Sequence, residues 1–199
     1  MNRKSGKWTA VALAASLAVP VLARADGPST QPVPQAGAPG DDQDFVISSM
    51  RVQEMKGITY FFISSKTNIA QLGDHIRQST EKIDLALKSG QVRPVGPIMI
   101  IFHRMMQEQG GEFPLEVGFP VADDAQAPDG FEIKKLDKFR CATVLYSGSM
   151  QQVRRAFEAV YNDLLGAGLE PTDETRQSVL LFEGQDSVNN VVMIQVGVR

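Results

Sequence analysis

Residues 55–85 read MKGITYFFISSKTNIAQLGDHIRQSTEKIDL, and residues 136–166 read LDKFRCATVLYSGSMQQVRRAFEAVYNDLLG. The second stretch repeats the pattern of the first 81 positions later. Residues 55–64 and 136–145 are rich in β-branched and aromatic residues, which predicts two strands. Behind the first strand, Ile69, Leu72, Ile76 and Ile83 recur at helical spacing, with Asn68 or Thr67 available as a cap and Gly90 beyond the end. Behind the second, Met150, Val153, Phe157, Val160 and Leu164 form the same stripe, with Ser149 as cap. The constant shift pairs Ile69 with Met150, Leu72 with Val153, Ile76 with Phe157 and Ile83 with Leu164.

The pattern continues outward. With the same shift, residues 98–102 (IMIIF) fall on 179–183 (VLLFE). After a contraction of four, residues 115–121 (LEVGFPV) fall on 192–198 (VMIQVGV). Each half then reads strand, helix, strand, strand. The expected fold is α+β: a duplicated strand-helix-strand-strand unit with pseudo-twofold symmetry, an antiparallel sheet and two main helices. Repeat one covers about 52–121 and repeat two about 131–198. A unit of about 65 residues buries little surface alone, so the two must share a core, and a cleft between them is the natural ligand site.

The rest of the chain is organised around this domain, assigned to residues 45–199. Residues 1–25 carry a basic start (Arg3, Lys4, Lys7), an apolar run and Ala23-Arg24-Ala25, the three parts of a secretory signal peptide. The apolar run is short of the ~20 residues of a membrane span, so no stable membrane anchor is expected after cleavage. Residues 26–44 are rich in Pro and Gly and read as a linker. Of 20 basic and 23 acidic residues, the leader removes Arg3, Lys4, Lys7 and Arg24, leaving 16 against 23, a formal charge of −7. A periplasmic or secreted protein of that charge is a poor partner for nucleic acid. Cys141 stands alone and cannot form an internal disulfide, so packing must hold the domain together.

Motifs for catalysis or metal binding are sparse. His75 and His103 lie on different elements, without a cysteine partner, so no metal site and no cofactor are expected. Ser147-Gly148-Ser149 lacks the G-x-S-x-G frame of a nucleophile elbow. Gly110-Gly111 is followed by no strand-to-helix turn. Asp123, Asp124 and Asp129 fit no EF-hand spacing.

Several stretches resemble GyrI-like domains, the small-molecule-binding fold also found as the effector-binding domain of multidrug-responsive bacterial transcription activators. They are Pro94-Val95-Gly96-Pro97, residues 115–121, residues 136–148 (LDKFRCATVLYSG), Ala156-Phe157-Glu158, Gly168-Leu169-Glu170-Pro171, residues 176–180 (RQSVL) and residues 194–198 (IQVGV). The resemblance implies a duplicated strand-helix-strand-strand fold, in agreement with the repeat. It also implies ligand contacts at Tyr146, Gln177, Val179, Met193 and Glu116. The family commonly has Arg-Glu-x-Tyr where this chain has Arg176-Gln177-Ser178-Val179, and a second Glu where it has Met193. Only Glu116, the repeat mate of Met193, keeps its carboxylate. The expected function is an exported, non-catalytic domain holding a small, largely apolar molecule in the cleft between repeats, with no catalytic residue. Two other readings remain: a hydrolase of small electrophiles using Glu116, as some GyrI-like proteins are, and a partner-binding or structural domain with a closed cleft. Export predicts Asp26 as the mature N-terminus. Intact-mass spectrometry of the exported protein checks this; a soluble cytoplasmic form retaining Met1 would contradict it.

Overall fold

A computed structural model describes residues 45–104 and 111–199; the leader, the linker and Gly110 lie outside the described residues. In chain order the elements are β1 (Phe45–Ile47), β2 (Arg51–Met55), β3 (Ile58–Thr67), α1 (Leu72–Lys88), β4 (Met99–His103), β5 (Phe113–Val121), β6 (Glu132–Leu136), β7 (Phe139–Gly148), α2 (Val153–Gly166), β8 (Pro171–Leu181) and β9 (Val191–Val198). The strands form one antiparallel sheet. Its six central strands run β7-β9-β8-β4-β5-β3, with β1 and β2 on the β7 edge and β6 on the β3 edge. The fold is α+β.

The ladders relate the two halves. Phe61 of β3 faces Phe119 of β5, and Ala142 of β7 faces Val196 of β9. So β3 maps to β7 by 81 positions and β5 to β9 by 77. Val117 faces Ile100, and Ile194 faces Gln177, which maps β4 to β8 by 77 as well. The pairing of residues 98–102 with 179–183 is therefore corrected: Ile100 is equivalent to Gln177, and the four-residue contraction falls before β4. Three of the four residues are lost in the helices, which start 81 positions apart, since α1 has 17 residues and α2 has 14; the fourth is lost in the connection to the next strand.

Both helix starts differ from expectation. Asn68 does not cap α1; its Oδ1 accepts from the Gln71 N–H at 3.0 Å in a turn, and the helix begins only at Leu72. Ile69 stays in that turn, 51% exposed. Ser149 does accept from the Gln151 N–H, but it caps the 3-10 turn Met150–Gln152 that precedes α2.

The two edges of the sheet meet. Lys56-Gly57 joins β2 to β3, although those strands lie at opposite ends of the strand order. Six inter-strand steps in a flat sheet would span about 29 Å. The three Cα–Cα steps from Met55 to Ile58 reach about 11 Å. Asp137-Lys138 imposes the same limit between β6 and β7. Met55 faces Phe139 on one side of these links and Ile58 faces Leu136 on the other, so the two long strands cross in a single antiparallel register. Gly57 sits at the crossing, where a Cβ would lie 2.7 Å from the Leu136 carbonyl oxygen. A second close approach occurs at Gly118, where a Cβ would lie 1.9 Å from the Phe61 carbonyl oxygen. Only glycine lets β5 come this near β3.

Both helices cover one face, and its core is continuous across the halves, from Phe61, Val117 and Ile100 to Ile194, Val144, Phe157 and Leu164. The opposite face carries no helix among the described residues, yet Tyr60 and Ile101 are fully buried there and Phe62 and Met99 nearly so. Ile58 and Leu136, from the crossing strands, pack on this second cluster. The sheet's own edges therefore wrap the helix-free face.

Candidate functional site

Because strand side chains alternate, each ladder row belongs to one face. One row on the helix-free face runs Ser64, Glu116, Ile101, Arg176, Gln195, Thr143 across β3, β5, β4, β8, β9 and β7. The repeat relation carries it onto the next row of that face: Leu145, Met193, Ser178, Met99, Gly118, Phe62. The two rows occupy equivalent positions but differ in chemistry. The first is polar at five of six places. The second holds four apolar side chains, a glycine and one serine.

The polar row carries a charge network. Lys134 Nζ donates to Glu116 Oε1 at 2.6 Å, and His103 Nε2 lies 3.1 Å from the same oxygen. His103 also faces Glu174 across the β4–β8 ladder, and Arg176 Nε donates to Glu174 at 2.6 Å. The Arg176 guanidinium stacks 3.9 Å from the Phe139 ring centroid, and Lys134 stands 4.8 Å over Phe62. Two atoms of this row are buried without a hydrogen-bond partner among the described residues: Glu116 Oε2 and Gln195 Nε2. Burial pushes the Glu116 carboxyl up, but the His103 and Lys134 contacts together outweigh it and hold it below the usual carboxylate value. Burial pushes the Tyr60 phenol well up, and Glu116 adds to this; its hydroxyl donates to the Met99 carbonyl at 2.8 Å. No group of three His, Cys, Asp or Glu able to hold a metal occurs among the described residues.

The five residues singled out in the sequence do not share a surface. Glu116 and Met193 are ladder equivalents on the helix-free face, in the polar and the apolar row respectively. Gln177 lies on the helix-bearing face, in the row Ile63, Val117, Ile100, Gln177, Ile194, Val144. Val179 faces Val192, which faces Tyr146, again on the helix side. Tyr146 is fully buried there and donates to the Ser149 carbonyl, closing the turn before α2. The single five-residue pocket is thus corrected to two sets on opposite sides of the sheet. Sequence reasoning passed over Arg176, Gln195, His103 and Lys134. The signal was the strand period: Arg176 adjoins Gln177 and must point the other way.

Two surface depressions lie away from these rows. One, of about 200 Å³, is formed by α1 and residues 94–98; the other, of about 300 Å³, lies where the linking segments cross.

The Glu116 shift has a pH consequence. Its folded value is below its unfolded one, so its stabilisation is present above the ordinary carboxylate value near 4.5 and is lost as pH falls through the folded value. Glu116→Gln should cost about 1–2 kcal/mol at neutral pH, and the difference from wild type should close below pH 4.5. Denaturant unfolding across this range checks it; a gap independent of pH would contradict it.

Comparison with known proteins gives the fold its relatives. SAV2435, solved bound to tetraphenylphosphonium, superposes with a TM-score of 0.58 at 12% identity, over 76% of this chain and 94% of that one. EcmrR in its DNA complex gives 0.65 at 14% identity, over 78% of this chain and 58% of that one. The Vibrio cholerae integron cassette protein VCH_CASS2 gives 0.54 at 16% identity, over 79% and 100%. No curated protein sequence matches the chain. The family model for the GyrI-like small molecule binding domain matches residues 48–175, more than half of the sequence, and the chain belongs to that family.

Proposed function

We propose that this protein is an exported, non-catalytic domain that holds a small, largely apolar molecule on the helix-free face of its sheet. One observation carries the reading: a polar and an apolar row lie side by side there, with two buried polar atoms left unpartnered. An unpartnered buried polar atom costs roughly 1–3 kcal/mol. A ligand that reached both would recover that cost. Met193 and Leu145 offer the apolar approach, since Leu145 is 45% exposed and Met193 partly so. Glu116 is already neutralised by Lys134, which weakens the case for a cationic ligand. A carboxylate held ionised in this way is also a weak general base, which disfavours hydrolysis through Glu116. Export rests on the leader pattern of residues 1–25, and with the acidic charge it disfavours nucleic acid as a partner.

A thermal-shift screen of the exported protein with hydrophobic compounds tests this. A ligand at about 100 times its Kd adds about 2.7 kcal/mol, several degrees in Tm. Met193→Glu should weaken the best ligand at least tenfold, whereas Val179→Ala, on the other face, should leave affinity unchanged. No stabilising compound, or sensitivity at Val179 but not at Met193, would overturn the proposal.

A further inference from the structure

We infer that the ligand of the helix-free face is amphipathic and carries a carboxylate, received by Arg176 and Gln195. The inference rests on the small-molecule reading and names the chemistry of its ligand. Arg176 and Gln195 face each other across the β8–β9 ladder and are 4% and 3% exposed. Only Nε of Arg176 is used, on Glu174; its two terminal nitrogens have no hydrogen-bond partner among the described residues. Gln195 Nε2, on the neighbouring strand, is buried and unpartnered. Two side chains that face each other across neighbouring strands therefore carry N–H donors with no partner among the described residues. A guanidinium has five N–H groups in a fixed fork, so its terminal edge can take a second carboxylate while Nε stays on the first.

The neighbours decide the rest of the molecule. Rows on one face are two residues apart, about 7 Å. The adjoining row on this face is Met99, Ser178, Met193 and Leu145, and the body of a ligand with its head at Arg176 and Gln195 is assigned to it. The repeat relation sharpens the argument. Arg176 is equivalent to Met99, and Gln195 to Gly118, so the donor pair exists in one half only. A ligand bound across the pseudo-twofold has a single orientation, with the head on the polar row and the tail on the apolar one. The acidic groups nearby do not compete for a cation. Glu174 is held by Arg176, and Glu116 by Lys134 and His103.

The test uses three molecules with one tail and different heads: decanoate, decanol and decyltrimethylammonium. Calorimetric titration of the exported protein should give decanoate a Kd at least about tenfold lower than either of the others, the worth of a charge-assisted hydrogen bond. Gln195→Leu should remove most of that preference and raise Tm, since it deletes an unpartnered buried amide. Arg176→Gln should abolish the preference, and Gln195→Leu keeps the test intact if breaking the Arg176–Glu174 pair prevents folding. Equal binding of all three heads, tightest binding of the ammonium, or a decanoate preference unchanged in Gln195→Leu would overturn the carboxylate assignment alone. Binding by none of the three would overturn it together with the apolar-ligand reading.

Discussion

Two dipeptides, Lys56-Gly57 and Asp137-Lys138, constrain everything else in this domain. Each joins strands at opposite ends of the sheet's strand order. A link that short cannot cross a flat sheet, so the edges must come together. The consequence is a face without helices that is nevertheless buried. Tyr60, Phe62, Met99 and Ile101 find their cover in Ile58 and Leu136 rather than in a helix. Closure also couples the halves, because β2 of the first repeat pairs with β7 of the second, and β6 of the second with β3 of the first. Neither repeat can fold its edges alone.

Duplication supplies the frame, and divergence supplies the chemistry. On the helix side the row through Ile100 and Gln177 maps onto itself and is apolar apart from that glutamine. On the other side two equivalent rows have separated into one polar and one apolar. Burying Arg176 and Glu116 is costly unless each is paired, and each has a partner: Glu116 with Lys134 and Arg176 with Glu174. A polar row of this kind contributes little to stability relative to an apolar one.

Much of the fold was legible in the sequence. The 81-residue shift of strand and helix located both halves, because hydrophobic period depends on local geometry alone. Cys141, the repeat mate of Tyr60, lies mid-strand and fully buried, with its thiol pushed up by that burial. The register of β4 was not legible: IMIIF and VLLFE are both apolar runs, and an apolar run matches itself at many offsets. The extent of α1 was misread at Ile69, since a local turn at Asn68 competes with the helix. Site residues were harder still. Glu116 and Met193 were placed at equivalent positions, but Gln177, Val179 and Tyr146 were assigned to the same pocket when the strand period puts them on the other face. The strand period puts Arg176 on the face opposite Gln177, but its pairing with Gln195 was not legible, because that depends on β8 and β9 being neighbours, which is a property of topology.

The closed sheet is the claim on which the site depends, and one thiol tests it. Gln53 of β2 faces Cys141 of β7 across the ladder, and the Gln53 amide donates to Thr143 on the same face. Cross-strand Cα separations of about 4.5–5.5 Å suit a disulfide. Gln53→Cys, oxidised under mild conditions, should become a monomer with no free thiol and a mass two hydrogens lower. Retention of both thiols in the folded protein, or crosslinking only between chains, would contradict the account.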